Sequence, residues 1–171
     1  MFRYLPVLVI ALSLGGCHFT SHSHYHDHAD HQDYTIDFVV TSTGGGTPVT
    51  WCTCSDELFL ELNVTNLGPH TERYDPDPDG HTHRFIVYDA WGYLVWDSDE
   101  IAHDHTSGGI NLPVGATLYM NETWDLTDSF GVPVDPGFYT IEAYFDGEMY
   151  YGGQLPNPDP ITIEVVASGT I

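Results

Sequence analysis

From Tyr34 onward the sequence predicts an all-β protein, folded as a two-sheet antiparallel β-sandwich. Short β-branched and aromatic runs recur along the chain, and clusters of Gly, Pro, Asn and Asp separate them. No stretch carries a helical period free of Gly or Pro. All four tryptophans lie in this part of the chain, which has the length and the large apolar side chains to build one core.

Eight strands are expected. Tyr34–Thr41 is a β-branched and aromatic run that ends ahead of the glycines at 44–46, and Val49–Thr53 resumes after Pro48. In Leu58–Asn66 the residues Leu58, Leu60, Leu62 and Val64 share one side, while Glu61, Asn63 and Thr65 share the other, which is the pattern of a half-buried strand. Arg84–Asp89 and Tyr93–Asp97 form a hairpin whose tight turn is Asp89-Ala-Trp91-Gly92. Ala116–Leu126 follows Gly115, Gly137–Phe145 follows Pro136, and Ile161–Val166 closes the set after Pro160. Phe85 with Val87, and Tyr139 with Ile141, Ala143 and Phe145, are the expected inward sets.

The order of these features resembles the BsuPI family, the intracellular proteinase inhibitor domain. The matching pieces are Val64-Thr-Asn66, Arg84-Phe85-Ile-Val-Tyr-Asp89 with the turn glycine Gly92, and Leu94-Val95-Trp96. Leu112-Pro-Val-Gly115, Trp124, Gly131-Val-Pro-Val134 and Pro136-Gly137-Phe-Tyr139-Thr-Ile141 follow in order. The resemblance implies an immunoglobulin-like sandwich, and as one function a protein-interaction or proteinase-inhibitor module. No inhibitory loop matches residue by residue, and a sandwich hosts many unrelated functions, so the site has to argue for itself.

The start of the chain carries an address. Residues 1–17 hold one positive charge, Arg3, then an apolar run too short to span a bilayer comfortably, then small residues, which is the pattern of a secretory signal. Leu14-Gly15-Gly16-Cys17 resembles the bacterial lipobox, which implies cleavage before Cys17 and lipid attachment there, with several acyl chains holding the protein at a membrane. His18, rather than an aspartate, follows the cysteine, favouring an outer-membrane or cell-surface anchor. Residues 18–33 have few large apolar groups and read as a flexible, disordered tether, leaving 34–171 as the sandwich domain.

Charge narrows the partners. The chain has 25 acidic residues against 3 basic ones, all arginine, for a formal net charge of −22. That surface repels nucleic acid and anionic headgroups and attracts cations; it also suits a salty environment, where dense carboxylates stay hydrated. The expected partners are the membrane, through the lipid, and a protein bound by the sandwich loops. Eleven histidines allow a Ser/His/Asp set to be assembled on paper, but no nucleophile elbow accompanies one, and the expectation is a non-enzymatic protein.

The chemistry that stands out is imidazole. His22, His24, His26 and His28 alternate, His31 follows closely, and Asp27, Asp30 and Asp33 are interleaved. Neutral imidazole suits zinc, copper and nickel. A second set pairs His81-Thr-His83, at the start of Arg84–Asp89, with His103-Asp-His105, beyond Tyr93–Asp97. A turn at Asp89–Gly92 puts His83 opposite Ser98 and His81 opposite Glu100, so the four rings are expected to converge on one ion from one end of the hairpin.

Two further features are weighed. Asp75-Pro-Asp77-Pro-Asp79-Gly80 copies the first half of a calcium loop, but the twelfth position is Ile86 and supplies no carboxylate, so calcium is disfavoured and an acidic turn is the reading. Cys52 and Cys54 are left to each other once Cys17 carries lipid. Alternate strand residues lie roughly 6.6–7 Å apart, so a disulfide needs a bend, and a soft-metal thiol pair for copper(I) is the other reading.

Overall fold

The computed structural model describes residues 18–26, 33–42, 51–53, 57–100, 108–150 and 154–167. Among these it forms twelve strands and no α-helix. In chain order they are β1 (His18–His26), β2 (Asp33–Ser42), β3 (Trp51–Thr53), β4 (Leu58–Asn66), β5 (Glu72–Asp75) and β6 (His83–Asp89). There follow β7 (Leu94–Asp97), β8 (Ile110–Leu112), β9 (Thr117–Trp124), β10 (Gly137–Phe145), β11 (Glu148–Met149) and β12 (Ile161–Val166).

Two main sheets stack. One runs β1-β2-β4-β9 and the other β3-β12-β10-β6-β7. A small third sheet, β11-β5-β8, adds Tyr74, Leu112 and Met149 to the same core. Pairing is antiparallel except for β3, which lies parallel to β12 along one edge, so the all-antiparallel expectation holds for the sandwich but not for that edge.

Period-two alternation decides which faces meet. Tyr34, Ile36, Phe38 and Val40 of β2 and Leu58, Leu60, Leu62 and Val64 of β4 are fully buried, and they face Phe85, Val87, Tyr139, Ile141, Ala143 and Phe145 of the other sheet. Rings lock the layers together: Phe38 stacks on Phe85 with centroids 5.9 Å apart, and Trp124 lies 6.4 Å from Trp96 and edge-on to Tyr139 at 5.8 Å. The Tyr139 hydroxyl donates to the carbonyl of Asp135 at 2.6 Å, the upstream hydroxyl-to-backbone tie of an immunoglobulin-type tyrosine corner. Asn66 is a buried polar joint. Its amide donates to the carbonyls of His70 (2.8 Å) and Leu112 (2.9 Å), and its side-chain oxygen accepts from Gly68 N–H (2.9 Å), tying the loop after β4 to β8.

Residues 18–26, within the segment read as a tether, form strand β1, paired along its length with β2; the exposed edge of β2 offers its backbone groups to any extended neighbour, whatever that neighbour's side chains. Two expectations need correction. Ala116–Leu126 ends as a strand at Trp124, because the Asp125 carboxylate accepts from Thr127 N–H and Oγ1 and Leu126 turns to a φ of 59°. The hairpin register slips by two. Ala90, Trp91 and Gly92 form the loop, with Gly92 at φ 81° and Asp89 N–H bonded to the Tyr93 carbonyl, and a bulge follows between Val87 and Tyr88. Ile86 therefore faces Asp97, and the Phe85 amide donates to Ser98 Oγ at 2.9 Å.

Trp124 touches both layers, so Trp124→Ala removes about 3–5 kcal/mol of stability. Urea denaturation checks this through a lowered midpoint at an unchanged slope.

Candidate functional site

On β1 the register decides what a row of histidines can do. His22 lies opposite Asp37, His24 opposite Thr35 and His26 opposite Asp33. Because Tyr34, Ile36, Phe38 and Val40 fill the core, the alternate β2 positions Asp33, Thr35 and Asp37 belong to the outward face, and residues directly opposite in an antiparallel pair share a face. His22, His24 and His26 therefore occupy equivalent positions along one outward row. His22 Nδ1 is hydrogen-bonded to Asp37 Oδ1, with both side chains about a third or more exposed. A ring held through Nδ1 presents Nε2 to solvent, the arrangement in which a carboxylate orients a metal-ligating histidine and sets its tautomer. Beyond Asp37 the row continues on β4 and β9 with Asn63 and Tyr119, and the Asn63 amide donates to Glu61. His28 and His31 lie outside the described residues, as does the leader with Cys17.

The second set is half visible. His81 precedes β6 and its Nδ1 sits 3.5 Å from Asp77 and 3.7 Å from Asp99. His83 opens β6, packs edge-on against Phe85 with centroids 5.3 Å apart, has Nδ1 2.8 Å from Thr82 Oγ1, and places Nε2 3.7 Å from Glu122 on the opposing sheet. The two rings thus serve different carboxylates. His103 and His105 lie outside the described residues. Among the described residues, no group of three or more His, Cys, Asp or Glu side chains gathers into a preformed metal cage.

The acidic turn is closed on itself. Asp77 Oδ1 accepts from the amides of Asp79 (3.0 Å) and His81 (2.7 Å), Gly80 N–H reaches the Asp77 carbonyl, and Asp75 pairs with Arg73 at 2.7 Å. Ile86 is buried in β6. Cys52 lies on β3 opposite Val165, and Cys54 lies outside the described residues.

Nearby carboxylates are tuned by one arginine. Arg84 forks onto Asp97, with Nε to Oδ1 at 2.8 Å and Nη2 to Oδ2, and also approaches Asp99 at 3.6 Å. Burial pushes the Asp97 carboxyl up, but the Arg84 hydrogen bond, the Asp99 amide and the guanidinium charge outweigh it and hold the group below its ordinary value. The Asp146 carboxyl is pushed up by burial and by the charges of Asp99 and Asp77. Sequence reading missed Asp37, Asp99, Glu122 and Asp146, the carboxylates that meet the histidines or lie beside them. Each is an ordinary polar residue in its own segment, and only strand pairing reveals its neighbour.

No family model matches the chain, and no curated protein matches it. Similar solved structures include the CARDB domain of a Pyrococcus furiosus protein, solved in complex with di-metal ions (17% identity, 79% of this chain and 89% of that one, TM-score 0.39). Others are a putative ApaA protein from Bordetella pertussis (9% identity, 88% and 95%, TM-score 0.39) and a β-glucosidase from Erythrobacter marinus (16% identity, TM-score 0.38). Alignment with the glucosidase covers 86% of this chain but only 16% of the enzyme. The class defined by the strands, their stacking and the tyrosine corner is an immunoglobulin-like β-sandwich.

Asp97→Asn leaves Arg84 half-paired and costs about 1.5–3 kcal/mol at neutral pH. Since the folded pKa of Asp97 is depressed, its contribution is present above the ordinary aspartate value of 3.8 and is lost as pH falls through the folded value. Denaturation midpoints of wild type and Asp97→Asn, measured from pH 7 downward, therefore converge on the acid side of 3.8.

Proposed function

We propose that the chain is a surface-anchored, non-enzymatic metal-binding lipoprotein that captures or buffers zinc, copper or nickel. The observation that carries this reading is the alternating row His22, His24, His26 and His28, with His31 beyond it, at the start of a chain whose formal charge is −22. A field of that sign raises the local concentration of divalent cations, and imidazole selects the borderline-soft ones among them. The His22–Asp37 bond fits such a role, because it leaves one ring nitrogen facing outward from an oriented imidazole. His81 and His83, with His103 and His105, form the second proposed set, and Cys52 and Cys54 a soft-metal or disulfide pair. Attachment is proposed at Cys17, with the membrane as partner and an outer-membrane or cell-surface location.

A second reading rests on a different observation. Trp91 (82% exposed), Tyr93 (72%) and Phe130 (92%) stand out from two turns, and Ser129 N–H is bonded to the Val95 carbonyl, which holds the second turn against β7. Exposed aromatics of this kind suit a protein-interaction module, and the likeness to the BsuPI family belongs with that reading.

Elemental analysis of protein purified without an affinity tag separates the two. A scavenger carries zinc, copper or nickel and loses most of it when residues 18–33 are deleted; an interaction module carries none in either form. Mass spectrometry of membrane-purified protein is expected to find an acylated terminus at Cys17, and Cys17→Ser to be released or left uncleaved. An unmodified mature terminus elsewhere removes the anchor from the proposal.

A further inference from the structure

Strand β1 is held to the sandwich poorly on one face and specifically on the other. Its inward positions are Phe19, Ser21, Ser23 and Tyr25, by parity with the core residues of β2. At the centre of that face two serines replace the large apolar groups that fix β2 and β4, and the Ser23 hydroxyl is buried without a hydrogen-bond partner. A buried, unsatisfied hydroxyl opposes docking. On the outward face the same strand crosses to β2 through His22 and Asp37.

We propose that Asp37 is the positioning residue of a metal site on the outward face of β1, and that filling this site locks β1 onto β2. The inference rests on the metal-binding reading above and assigns it a place and a consequence. The ion is a zinc-class divalent cation taken by Nε2 of His22, and the backbone register puts positions 24 and 26 on the same outward row. Successive positions of one parity are roughly 6.6–7 Å apart, a span that imidazole side chains on an edge strand close around an ion. Asp37 belongs to β2, so it can hold the His22 ring only when β1 is docked.

Linkage follows from that geometry. If Asp37 strengthens the ion's hold on the docked strand, the ion must strengthen docking by the same factor. A carboxylate behind a ligating histidine is typically worth about 10–100-fold in metal affinity. The chain would thus convert metal capture into the closing of an exposed sheet edge next to its membrane attachment.

Hydrogen exchange of the full chain in detergent, with and without zinc chloride, tests this. Amides of residues 18–26 are expected to exchange about 10–100-fold more slowly with saturating zinc. Asp37→Asn and His22→Ala, both at positions outside the core, are expected to abolish the slowing, and Asp37→Glu to restore part of it. The metal-induced change is the readout, because a residue that only supports the fold shifts exchange equally with and without zinc. If zinc binds but exchange over 18–26 is unchanged, or slows equally in Asp37→Asn, the positioning role is overturned and metal capture stands. If calorimetry finds no zinc bound by the full chain, both fail together.

Discussion

Everything in this molecule depends on two sheets each having one apolar face. The alternation in β2, β4, β6 and β10 puts a continuous layer of side chains between them, and the aromatic contacts Phe38 to Phe85 and Trp96 to Trp124 to Tyr139 fix how the layers sit. Because a side-chain period of two leaves no freedom, burying Ile36 and Phe38 forces Asp37 outward. The chemistry on the outer face is therefore a consequence of the core, since the strand that packs the interior also presents the carboxylate that meets His22.

Most of the buried polar groups lie at or next to strand ends. Asn66 ties the β4 exit to β8, and the fully buried Glu72 accepts from the Tyr34 hydroxyl at 2.6 Å. Arg84 and Asp97 do the same between β6 and β7, with a charge-assisted fork in place of an amide. Each such group has partners from different elements, so it specifies one arrangement of loops over others that would bury the same apolar area.

The acidic character of the chain works at two ranges. Spread over the surface it sets a negative field. At short range it is particular: Asp77 and Asp99 flank His81, Glu122 approaches His83, and Asp37 holds His22. Among the described residues, then, the rings of His22, His81 and His83 meet different carboxylates on different parts of the fold. Burial and the negative neighbours Asp99 and Asp77 push Asp146 toward its neutral form, which shows how densely the carboxylates are set at that end.

Local pattern was enough to read much of this protein. Leu58–Asn66, Gly137–Phe145 and Ile161–Val166 match their strands end to end, and the inward sets follow from alternation, because a half-buried strand writes its own period into the chain. The short strands β5, β8 and β11 carry too few residues to show a period, and β1 hides behind a composition that looks unstructured. What only the tertiary structure decided is pairing. The two-residue slip of the β6–β7 hairpin depends on a three-residue loop and on a bulge that no local signal marks, and the meeting of His22 with Asp37 depends on β1 lying antiparallel along β2. A sequence determines which residues share a face of their own strand, whereas the neighbour across the gap is chosen by how whole sheets assemble.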